Sequence, residues 1–199
     1  MSIATQTLTF KTSANNSEGA FELPPEGTHA AVLVALIDLG TTESTFNNET
    51  RDRHKLLFVW QLPNELDSNG DPFMVAQDST WSLHKMAGLR RITEKWLQRP
   101  MSDSEEYDLG LMLGQPAQIN LIEGVSGNGK KFMEVASVKP HPQPQKVGKP
   151  TVEPFAFHLG VLGSTKDELG IPDWVPPLYG KKVSDEIRRS KEYQALPPF

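Results

Sequence analysis

The chain has 199 residues, 37% of them hydrophobic, and 25 acidic against 20 basic side chains give it a net charge of −5. That is enough for one good core, and the absence of cysteine excludes a disulfide scaffold and any Cys-based metal site or nucleophile. No run approaches the about 18 apolar residues of a membrane span, and the net negative charge argues against a uniformly basic surface for a polyanion.

Residues 1–23 carry TSANNSEG and few large apolar groups beyond the Leu8 and Phe10 alternation, which reads as a mobile arm or an edge strand. Three β-type runs follow: His29 to Leu39, Lys55 to Leu62 and Phe73 to Leu83, each rich in β-branched or aromatic residues and bounded by Gly, Pro, Asn or Asp. Residues 40–54, between the first two, are polar and long for a hairpin connection, and Phe46 within them could cap a base or bury against a rim. From His84 to Arg99, Met86, Leu89, Ile92, Trp96 and Leu97 form one apolar helical stripe, stopped near Pro100. Two further β-type runs, Ala117 to Ile122 and Phe132 to Val138, flank a Gly-Asn-Gly-Lys-Lys turn, so they should pair antiparallel.

Three strands, a helix and a hairpin, in that order, predict a mainly β protein: a five-stranded OB-like Greek-key barrel over residues 24–142, with one helix between strands three and four. An open α+β sandwich of the same strands is the competing arrangement. The Pro-punctuated stretch 139–145 reads as a linker to a partly helical C-terminal extension over residues 143–199, with a helix expected from about Val183 to Tyr193. The opening MSIATQTLTFKTS has no apolar signal core, so a cytoplasmic protein is the expectation.

Chemistry-bearing motifs are few. Gly124 to Lys130 matches the GxxxxGK half of a phosphate loop, but Lys131 stands where a Ser or Thr would bind magnesium, and KFMEVASV continues as a strand. The five histidines are dispersed, no nucleophile elbow or triad order appears, and Glu105 with Glu106 reads as a solvated pair. No catalytic residue, metal ligand or cofactor is assigned.

Positive charge is segregated. Lys85, Arg90, Arg91, Lys95 and Arg99 face one Glu in residues 84–99, and Lys130, Lys131, Lys139, Lys146 and Lys149 face one in residues 124–149. Single-strand binders interleave such cations with aromatic rings, on which bases stack. The candidate nucleic-acid contacts are therefore Arg51, Arg53, Lys55, Trp60, Phe73, Trp81, Lys85, Arg90, Lys130, Lys131 and Phe132. Alternation places Phe58 with Leu56, Trp60 and Leu62 on one strand face, so Phe58 is expected in the core, while Trp60 and Trp81, near strand ends, are open between core and stacking platform.

The patches Ala35 to Thr41, Lys55 to Leu62, Ser79 to His84 with Leu89-Arg90, Asp108-Leu109, Leu113 to Pro116, Pro172 to Val175 and Ser190 to Tyr193 together resemble a family of phage-encoded single-stranded DNA-binding proteins. That resemblance implies an OB fold and binding of exposed DNA strands, largely independent of sequence, in replication or recombination, inside a bacterial host. It does not carry over individual contact residues. The ending Ala195-Leu196-Pro197-Pro198-Phe199 is similar to bacterial single-stranded DNA-binding proteins whose terminal Pro-Phe docks on partner proteins, which makes Phe199 a candidate partner contact. Those tips follow an acidic run, whereas Arg188, Arg189 and Lys191 stand here. The alternative is an OB-fold protein-interaction subunit that does not touch DNA.

Overall fold

The computed structural model describes residues 22–46, 49–125, 129, 131–161 and 169–197. It is mainly β. Strands β1 (Gly27–Phe46), β2 (Glu49–Leu66), β3 (Pro72–Thr80), β4 (Pro116–Val125), β5 (Lys131–Pro140) and β6 (Phe155–Phe157) form one sheet, and helices α1 (Gly88–Leu97), α2 (Val183–Arg188) and α3 (Lys191–Ala195) pack on it. The order is β3-β2-β1-β4-β5, every neighbouring pair antiparallel.

Strand β1 is the spine. It pairs with β4 from Gly27 to Val32, and from Val32 onwards with β2. Where β4 leaves, β6 takes over that edge in parallel at Ala35 to Ile37, so the open side of β1 is covered. Bulges at Leu33/Ala35 and Asp38/Gly40 bend the strand between these partners.

The sheet does not close into a ladder. β3 and β5 are its two edges, and they run in the same direction because each is two antiparallel steps from β1. A side chain bridges them: Gln77 Nε2 donates to the Val135 carbonyl at 3.2 Å. Helix α1 lies against both strands.

Residues 40–54 differ from the loop expected there. They continue the β1–β2 pairing from Gly40↔Lys55 to Phe46↔Glu49 as a two-stranded arm, with residues 47–48 and the Phe46 side chain outside the described residues. Thr41, Thr42, Thr45 and Thr50 favour extended backbone, but with neither face apolar the arm carries no hydrophobic alternation to announce it. Helix α1 is shorter than expected. It starts at Gly88, which leaves Met86 exposed ahead of it, and ends where Gln98 turns left-handed at φ 55°. The helix expected over Val183 to Tyr193 is two, broken at Ser190, whose hydroxyl accepts from Tyr193 N and caps α3.

Both faces of β1–β2 are buried. Leu33, Phe58, Trp60, Leu62, Leu89, Met112, Ile119 and Leu121 form an inner core, onto which Ile92 and Trp96 of α1 pack. Val34, Ile37, Leu57 and Val59 point the other way, into an outer core completed by Phe157, Leu159, Leu178, Val183, Ile187 and Tyr193.

Candidate nucleic-acid interface

Two stacking candidates are removed by burial, Trp60 on β2 and Phe73 on β3. Trp60 is 1% exposed, its ring 6.4 Å from and nearly parallel to that of Phe58 inside the inner core, and Phe73 is buried with it. Neither offers a face to a base. Phe132 is half-buried across from Gly124, so close that a Cβ on that glycine would come 2.5 Å from the ring.

Arg90 is also removed as a phosphate contact. It is 6% exposed on the inward stripe of α1 with Leu89 and Thr93. Its guanidinium donates to Glu94 Oε1 at 2.9 Å, to Asp103 Oδ1 at 2.8 Å, and to the carbonyls of Leu83 and Met101. This fork pins the segments before and after the helix, a rigid bidentate task suited to Arg. The Arg90 hydrogen bond, followed by that of the Met101 amide, holds the Glu94 carboxyl below its ordinary range, and Arg90 with Lys85 does the same for Asp103.

Other expected cations sit beside acids: Arg51 by Glu49 at 2.6 Å, Lys55 by Asp78 at 2.8 Å, Lys85 by Asp103 at 3.5 Å and Lys131 by Glu123 at 2.9 Å. The Arg51, Lys85 and Lys131 pairs are exposed and worth little, so they compete only weakly with a phosphate, whereas Lys55 and Asp78 are partly buried and committed to each other. Arg53 is half-buried on the arm. Lys130 and Phe199 lie outside the described residues.

Trp81 remains, and it is placed unlike Trp60. Just beyond β3, its amide donates to the His54 carbonyl at 2.7 Å, and its side chain is 41% exposed. The rings of His54 and His158 meet it edge-on, with centroids at 5.0 Å and 5.8 Å and interplanar angles of 74° and 75°. Edge-to-face contacts leave part of the indole open while restraining its orientation.

A buried carboxylate anchors both histidines. Asp38 is 1% exposed. His54 Nε2 lies 2.6 Å from Asp38 Oδ1 and His158 Nε2 lies 3.7 Å from Oδ2, while the amides of Gly40 and Leu159 donate to the same carboxylate. On its far side, His54 Nδ1 lies 3.3 Å from Thr41 Oγ1 and 3.5 Å from Glu192. The Thr41 hydroxyl and amide donate to Glu192 at 2.5 Å and 2.7 Å. Its proton is thus committed to Glu192, so Thr41 is not poised as a nucleophile despite the Thr-His-Asp sequence of contacts. The cluster is a clasp that joins the foot of the arm to α3.

Sequence reading missed the two histidines, which no spacing links to Trp81. It also passed over Arg91 and Lys95 as contacts, although their four-residue spacing opposite the apolar stripe places them together on the outer side of α1. Among the described residues no group of three or more His, Asp or Glu is arranged to hold a metal ion, and no helix is long and apolar enough to cross a membrane. No protein-family model matches this chain, and no curated protein matches it.

Proposed function

We propose that this protein binds single-stranded DNA with little sequence preference, at the ends of its strands rather than across a sheet face. The observation that carries the reading is Trp81, an open indole held in orientation by two histidines at the foot of a polar arm that bears Arg51 and Arg53. Stacking on such a ring is sequence-tolerant because every base has a π-face. The strand order, with α1 between β3 and β4, fits an OB-like Greek-key barrel whose last seam is left to Gln77 instead of a ladder. The outer face of β1–β2, filled by apolar side chains, is not part of the proposed surface.

The role that fits is to protect or present exposed strands during phage-type replication or recombination in the cytoplasm of a bacterial host, without chemistry of its own. Protein partners of that machinery would be met through the C-terminal extension. The test is an oligonucleotide titration over a salt series. Wild-type protein should lose affinity steeply with salt, and Trp81→Ala should lose about 1–3 kcal/mol of binding while folding normally. A wild-type protein that ignores oligonucleotides at low salt would leave the protein-interaction reading in its place.

A further inference from the structure

The seam between β3 and β5 opens into a cleft of about 280 Å³ that is roofed by α1. Its walls are Gln77, Asp78 and Ser79 on one edge and Glu134 to Val138 on the other, with Gly88, Arg91, Ile92 and Lys95 above. Among the described residues neither edge has a strand on this side, so backbone donors and acceptors of both strands face the opening, apart from the Val135 carbonyl that Gln77 already occupies. This lining is polar and hydrogen-bonding, unlike either core.

Two features of the cleft point to one class of occupant. Arg91 and Lys95 stand one helical turn apart at its rim, and among the described residues neither has an ion pair, in contrast to Lys55, Lys85, Arg90, Arg99 and Lys131. Of the two lining acids, Asp78 is paired with Lys55 at 2.8 Å and accepts from the Tyr179 hydroxyl at 2.6 Å, which leaves Glu134 as the one lining carboxylate without an ion pair among the described residues, against two such cations. The helix also begins with a glycine beside β3: a Cβ on Gly88 would come 3.0 Å from Ser79 Oγ. Space, edge-on hydrogen-bonding groups and two uncommitted cations at the mouth suit a flat heterocycle carrying a phosphate.

We propose that this seam is a nucleotide pocket that receives one base of a bound single strand, with Arg91 and Lys95 on the adjoining phosphates. The proposal rests on the reading that the protein binds single-stranded DNA, and adds a second subsite to it. Strand β3 connects the two: it forms the wall of the cleft through Ser79 and ends immediately before Trp81. A strand stacked on Trp81 can follow that edge to the pocket, which accounts for both sites with one DNA path.

Three variants and three ligands test it. Arg91→Gln with Lys95→Gln should reduce the salt slope for oligothymidylate by about 1.4, the value for two phosphates of single-stranded DNA. Arg188→Gln with Arg189→Gln, at the C-terminal end of α2, should leave the slope unchanged. Gly88→Leu fills the pocket without changing charge; its Cβ approaches Ser79 Oγ at 3.0 Å, a contact that rotation of the hydroxyl relieves, so it should melt close to wild type. It should weaken oligothymidylate several-fold, yet leave the weaker binding of an abasic strand of equal length unaltered.

If wild type binds oligothymidylate but neither the double variant nor Gly88→Leu changes that binding, the pocket is overturned while the Trp81 reading stands. Equal loss by Gly88→Leu on both strands would overturn base insertion. Tight competition by free thymidine monophosphate, abolished in the double variant, would make this a mononucleotide site and overturn the strand path. No oligonucleotide binding by wild type removes both readings at once.

Discussion

Strands β1 and β2 bury two faces, one against their own sheet and α1, the other against chain that arrives much later. The inner core is made of long strands and a helix whose apolar residues recur with regular period. The outer core is closed by β6, α2 and α3, none longer than six residues, and by side chains from the connections between them. A sheet with one dry face could offer the other to a ligand. This one uses both for packing, which leaves strand ends, the arm and the open seam for the proposed recognition, where polar backbone and exposed cations lie.

The comparison breaks first at the largest side chains. Trp60→Ala should cost about 3–5 kcal/mol by urea unfolding, because the inner core surrounds it, and Ile187→Ala in the outer core about 2–5 kcal/mol. Since both cores share β1 and β2, each variant should show a single transition followed alike by fluorescence and circular dichroism. Two separated transitions would mean that the C-terminal segments form an independent unit.

Gly40 sharpens the boundary between the regions. Its φ of 72° suits glycine, and an added Cβ would stand 2.4 Å from Ser190 Cβ and 2.7 Å from Leu159 Cδ1. Gly40→Ala should cost about 1–3 kcal/mol from the backbone alone. Displacement of α3 should also raise amide exchange around Ser190 while α1 stays protected. Uniform loss of protection would contradict a local docking point.

A smaller effect follows from Glu192. Burial acts to raise its pKa, but the hydroxyl and amide of Thr41 more than offset this, and the carboxyl lies below its ordinary range. A depressed folded-state pKa contributes stability that is complete above the unfolded value and is lost as pH falls through the folded one. Acidification below about pH 4 should therefore loosen the clasp between arm and α3. Glu192→Gln should have a flatter melting profile in that range than wild type; parallel profiles would show that the clasp adds no stability. The smallest expected change is the stability of Trp81→Ala, within about 0.5 kcal/mol of wild type by thermal melting, against the large loss at Trp60.

Much of the frame was legible in the residues. The alternation of Leu56, Phe58, Trp60 and Leu62 groups them on one strand face with Phe58 in the core, the stripe through Leu89, Ile92 and Trp96 locates α1, and the Gly-rich turn pairs β4 with β5. The same helical period could have separated Arg90, inward with Thr93, from Arg91 and Lys95, had charge not been taken as a sign of exposure. The arm escaped because its polar faces give alternation nothing to register.

By itself, then, the sequence located the body of β1 to β5, helix α1 and one buried face, since periods of 2 and about 3.6 residues are local properties of the backbone. Only the tertiary structure decided that the second face is also closed, that the sheet stops short of a ladder at β3 and β5, and that Trp81 is held open while Trp60 is enclosed. The physical reason is distance along the chain. Asp38 accepts from the Leu159 amide across 121 residues, and His158 reaches Trp81 beside it. Contacts made at that separation depend on where the sheet bends and the chain returns, and they leave no periodic trace in the residues that make them.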